Sequence, residues 1–103
     1  MSNIQCISPI DGSIYAQRPI LSRDEAFATV TRAAASQADW AARPLAERIA
    51  LVQDGVTRIG AMNDVIVPEL AWQMGRPVRY GGEFGGFNER ASYMAQIAAD
   101  ALA

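Results

Sequence analysis

Apolar residues recur along most of the chain in the three- and four-residue steps of a helix, most cleanly at Leu45, Ile49, Val52, Val56 and Ile59. Glu47, Asp54 and Arg58 fall off that stripe, so the spacing predicts an amphipathic helix over about 44–60 whose inner face belongs to a core. Phe27, Val30 and Ala34 keep the same steps and predict an earlier helix over 23–40. Its start is marked by Ser22-Arg23-Asp24-Glu25, the spacing at which a serine hydroxyl and a glutamate carboxylate satisfy each other's backbone amides. The pattern fades near Trp40. Pro44 then suits a new first helical position, where its missing amide hydrogen would have had no partner. A shorter helix over about 64–74 carries Leu70, Ala71 and Met74, and Pro68 fits it within a first turn or at a kink.

The N-terminal part follows a different rule. Residues 4–20, IQCISPIDGSIYAQRPI, place short apolar runs on either side of Pro9-Ile10-Asp11-Gly12, which reads as a β-hairpin turning at Asp-Gly. A lone two-stranded hairpin is marginal in water, so this one needs a surface to lie against.

The stretch QMGRPVRYGGEFGG, residues 73–86, resists both patterns. Gly75 follows the last periodic residue Met74, as a left-handed helix terminator does, and Pro77 two residues on can open the next helix. Tyr80, Phe84, Phe87, Ala91, Met94 and Ala98 keep a helical period beyond it, which predicts one helix over 77–102 running through Gly81, Gly82, Gly85 and Gly86. Four glycines inside a helix each cost on the order of 1 kcal/mol, so the strip they form is expected to receive closely approaching backbone. A phosphate cradle does not fit, because the spacing is GG-x-x-GG and no strand precedes it. The GxxxG spacings at 81/85 and 82/86 belong to membrane helices, which Arg79, Glu83, Glu89 and Arg90 exclude here. The predicted fold class is therefore mainly α, with about four helices after an N-terminal hairpin.

Composition narrows the chemistry. Half of the 103 residues are apolar, enough to build a core. The nine basic residues are all arginine and are outnumbered by eleven acidic ones, so neither nucleic acid nor an anionic membrane is an expected partner. With no secretion signal or spanning segment legible, the expected location is cytoplasmic. There is no histidine, which removes histidine-based triads and the usual zinc sites, and the single cysteine, Cys6, lies in an apolar-leaning run with no base beside it. A structural role is the reading for Cys6.

Ser8-Pro9-Ile10-Asp11-Gly12-Ser13-Ile14, the Ser22–Glu25 helix start, Trp40, Glu47-Arg48 and Met74-Gly75-Arg76-Pro77 stand in an order that resembles the N-terminal region of the NAD(P)-dependent aldehyde dehydrogenase family. The resemblance covers essentially the whole chain. Members typically carry Asn-Pro-x-Thr-Gly-Glu in the hairpin, Phe-x-x-Trp at the end of the first helix and Gly-Lys-Pro between later helices. Here Ser8, Gln37 and Arg76 depart from those patterns. The resemblance implies a larger α/β enzyme that oxidises an aldehyde to a carboxylic acid with NAD or NADP, through a cysteine thiolate and a glutamate that activates water. It places those groups, and the Rossmann core and catalytic domain, outside residues 1–103, so no catalytic, cofactor-binding or metal-binding residue is expected here and the chain alone is expected to be inactive. Some members hold a monovalent cation near the hairpin and an acidic residue two positions before the glycine of Gly-Lys-Pro. Gln73 occupies that position, so the ion is not expected.

The expected partner is the remainder of such an enzyme, or a second copy, with a homo-oligomer as the expected assembly. The alternative is a free-standing helical interaction protein using its apolar and glycine-lined faces. A small enzyme built on Glu83, Glu89 and Tyr93 is disfavoured, because each has an ordinary place on a helix face.

Overall fold

A computed structural model describes residues 2–103. A hairpin of strands β1 (Asn3–Ile7) and β2 (Ile14–Pro19) leads into helices α1 (Arg23–Ala42), α2 (Leu45–Ala61), α3 (Asn63–Met74) and α4 (Phe84–Ala101), with a 3₁₀ turn at Val78–Tyr80. The strands pair antiparallel, Asn3 opposite Pro19 and Cys6 opposite Ala16, with a bulge between Cys6 and Ile7. The turn closes through the Ser8 amide on the Ser13 carbonyl at 2.8 Å and the Gly12 amide on the Ser8 carbonyl at 2.9 Å.

Each helix boundary has a local cause. At α1 both halves of the capping box form: the Glu25 amide donates to Ser22 Oγ at 3.2 Å and the Ser22 amide donates to Glu25 Oε2 at 2.8 Å. Pro44 stands at the N-cap of α2 with extended backbone, so the first helical position falls on Leu45 rather than on Pro44 as expected. One residue, Met62, ends α2 and caps α3. Pro68 lies in the second turn of α3 rather than the first, where it leaves the Asp64 carbonyl without its usual helical donor. At the far end of α3, Gly75 adopts φ 75°, the left-handed conformation expected there, and its amide donates to the Ala71 carbonyl.

Two expectations are corrected. The helix predicted over 77–102 does not pass through the glycines: the 3₁₀ turn ends at Tyr80, Gly81 takes φ 68° and ψ −161°, and α4 begins at Phe84. That backbone region is essentially reserved to glycine and cannot continue a helix, while the apolar period carried by Tyr80, Phe84 and Phe87 simply spans two elements. The second correction concerns the core. α2 does pack on α4, yet no apolar side chain among the described residues is fully buried, and Val52 on the inner stripe of α2 is still 48% exposed. The radius of gyration is 18.0 Å, against ~13 Å for a compact chain of this length. The accessible surface is 8075 Å², when a compact protein of this mass exposes ~5,700 Å². The elements form a slab 49 × 40 × 19 Å whose apolar residues line open faces.

Candidate functional site

The open apolar face is the feature with the most chemical consequence. Leu45, Ile49 and Val52 of α2 and Ala91, Met94 and Ala98 of α4 line a shallow apolar groove of about 240 Å³. α1 carries Phe27 and Val30 at 61% and 66% exposure, with the Arg23 guanidinium lying 5.4 Å over the Phe27 ring. Ile4, Ile7 and Ile14 are open on the hairpin. Apolar surface this extensive is more than a folded domain standing alone ordinarily exposes.

A second set of contacts holds the elements that carry this face. The hairpin tip seats on the end of α3: Pro9 Cγ lies 3.2 Å from where a Cβ on Gly75 would stand, and the Cys6 thiol donates to the Gln73 carbonyl at 3.8 Å. Ser8 is wholly buried in that tip, its hydroxyl accepting from the Ile10 amide at 3.3 Å. Next to it, Asp11 Oδ1 accepts from the Ser13 hydroxyl at 2.7 Å and the Ser13 amide at 3.0 Å. These bonds, the hydroxyl's first, favour the charged form and hold the Asp11 carboxyl below its ordinary value. Cys6 is thus a half-buried contact between the hairpin and the end of α3.

At the other end of α3 the start of α4 enters the corner between α2 and α3. The Phe84 ring covers Gly60 so closely that a Cβ there would stand 2.5 Å from the ring, and the same Cβ test at Gly82 finds Asn63 Oδ1 at 3.0 Å and Val67 Cγ2 at 3.1 Å. Arg76 pairs with Glu83 across the intervening segment. None of the four glycines receives the backbone expected there: Gly82 meets only the side chains of α3, and Gly81, Gly85 and Gly86 face open space. Sequence reasoning missed Gly60, although its place four residues after Val56 on the inner stripe of α2 is the signal that a small residue is needed there.

Glu83 is drawn to Arg76, while Glu89 and Tyr93 border an open depression on α4 with Arg90, Ser92 and Gln96. No three cysteine or carboxylate groups converge as a metal site among the described residues. No described helix is long and apolar enough to cross a membrane.

The aldehyde dehydrogenase family model matches residues 1–102. The chain belongs to the aldehyde dehydrogenase family. Nothing among curated proteins or solved structures matches it. Membership makes this segment part of an oxidoreductase family whose reaction calls for a nicotinamide dinucleotide, but the residues present do not fit one. The glycine stretch follows a 3₁₀ turn rather than a strand, α3 side chains fill the near side of Gly82, and the N-cap residue of α4 is the acidic Glu83, the wrong charge for a phosphate site.

Proposed function

We propose that this aldehyde dehydrogenase segment is the N-terminal scaffold of an enzyme that oxidises an aldehyde to a carboxylic acid with NAD or NADP, and that it contributes no catalytic group itself. Its role is to dock. The hairpin, α1 and the α2–α4 groove lie against the rest of the dehydrogenase fold, in the same polypeptide or in an associated subunit, and the enzyme is a cytoplasmic homo-oligomer. The observation that carries this reading is a family match over residues 1–102 in a chain whose described apolar residues include none that is fully buried. Burial of that face would supply roughly 25 cal/mol for each Å² removed from water, which is the stabilisation the segment lacks alone.

The test is a direct one. The purified 103-residue chain is offered NAD, NADP and a panel of short aldehydes, and neither cofactor binding nor turnover is expected. Turnover that persists in Cys6→Ala would mean that the chemistry resides in this chain after all. The competing reading, a free-standing interaction protein, draws on the same exposed face. A defined homo-oligomer that excludes a hydrophobic dye favours it over the scaffold reading, for which the isolated chain binds dye.

A further inference from the structure

The segment from Gly75 to Glu83 joins α3 to α4 and has a construction of its own. It contains two positive-φ glycines, Gly75 and Gly81, at 75° and 68°. Between them Pro77 fixes its own φ and the 3₁₀ turn stiffens Val78–Tyr80, so rotation is confined to the ends. A stiff link between two glycine pivots keeps one position only if something holds it there.

An ion pair bridges it from end to end. Arg76, beside the first pivot, reaches Glu83, beyond the second, with side-chain exposures of 32% and 62%. The other arginine of the segment is not a competitor, since the Arg79 guanidinium lies 4.9 Å over the Tyr80 ring and donates to its hydroxyl at 3.0 Å. Arg76 Nε is buried without a partner, so the pairing of Nη1 with Glu83 is what holds the guanidinium in this place. Glu83 in turn sits directly before Phe84, whose ring covers Gly60, and directly after Gly82, which lies against Asn63 and Val67.

We propose that Gly75–Glu83 is a strap latched by the Arg76–Glu83 ion pair, which seats the first turn of α4 in the α2–α3 corner. When the pair breaks, the strap swings on its glycine pivots and the first turn of α4 loosens, while the α2–α4 seam further along stays closed. The latch is salt-sensitive, because both charges reach solvent and the Debye length falls to about 3 Å at 1 M salt. This device does not depend on the family assignment.

Amide hydrogen exchange on the native, uncleaved protein reads it out. The Phe87 amide donates to the Glu83 carbonyl in the first turn of α4, whereas the Tyr80 and Gly81 amides donate to the Pro77 and Val78 carbonyls inside the stiff link. Arg76→Gln and Glu83→Gln should each speed exchange at Phe87 about fivefold, the scale of a partly exposed ion pair, and leave Tyr80 and Gly81 unchanged. Amides of α2 around Ile49 should be unaffected. Raising salt should do the same to the parent protein and nothing further to either variant, and the exchanged pair Arg76→Glu with Glu83→Arg should restore protection. Unchanged exchange in both single variants, a salt-insensitive parent, or a swapped pair no better protected than the singles overturns the latch.

Discussion

Helices α1 and α2 are neighbours in the chain and similar in length, yet they are held in opposite ways. α1 is defined by its own ends and surface: the reciprocal Ser22–Glu25 cap, the Thr29, Thr31 and Ser36 hydroxyls donating one turn back, and a side-chain bond from Arg32 to Thr29. Its apolar residues Phe27 and Val30 touch solvent. α2 has no side-chain cap and begins on a proline, but its stripe meets α4 and its last turn receives the Phe84 ring at Gly60. The difference separates two jobs that sequence patterns merge. Local hydrogen bonds decide where a helix starts, and neighbours decide what its apolar face is worth.

The comparison breaks most visibly at the centre of the two stripes. Ile49→Asp should open the α2–α4 seam and cost about 2 kcal/mol in the exchange-derived opening energy of α2. Val30→Asp, at an open position of α1, should leave the same measurement on the isolated chain unchanged, and equal losses would mean that α1 is packed after all. Next in size is Gly60→Ala, which drives a Cβ into the Phe84 ring and should destabilise α2 by roughly 1–2 kcal/mol. Gly55→Ala on the same helix meets nothing within 4 Å and should stabilise it by up to ~1 kcal/mol. Denaturant midpoints of the two variants should therefore move in opposite directions.

Smaller again is the loss of the α1 cap. Ser22→Ala should cost ~1 kcal/mol of helix stability, visible as faster exchange at the first-turn amides of α1 with no change in α2. The smallest effect is one of pH. The bond from the Ser22 amide, followed by that from its hydroxyl, holds the Glu25 carboxyl below its ordinary 4.5. A depressed carboxyl stabilises the folded state fully above its unfolded value, and that contribution disappears as pH falls through the lower folded one. An NMR titration should show the start of α1 loosening below pH 4.5, and Ser22→Ala should weaken that dependence.

What could be read from the sequence follows the same division. The capping box, the Gly75 terminator and the Asp-Gly turn were legible because each is settled within a few residues. The start of α4 was not, since Tyr80, Phe84 and Phe87 keep one period across a turn and a helix, and nothing in a hydrophobic pattern reports the ψ of −161° at Gly81. The inner stripe of α2 was correctly located and its burial overread, because periodicity names the apolar face and not its cover. Arg76 and Glu83 stand seven apart, a spacing that pairs charges only when the intervening chain folds back. The family resemblance was visible in the order of short motifs, whereas the Gly60–Phe84 contact required knowing which helices meet.

The joint at Met62 carries one more consequence, for how the length of this chain can vary. With a single residue shared between two helices there is no slack to absorb an insertion. One added residue would rotate α3 by ~100° and advance it by ~1.5 Å, swinging Asn63 and Val67 away from Gly82. An added residue in the strap would disturb the Arg76–Glu83 latch but leave the register of each helix unchanged. Length variants of this segment should therefore cost less between Gly75 and Glu83 than at Met62.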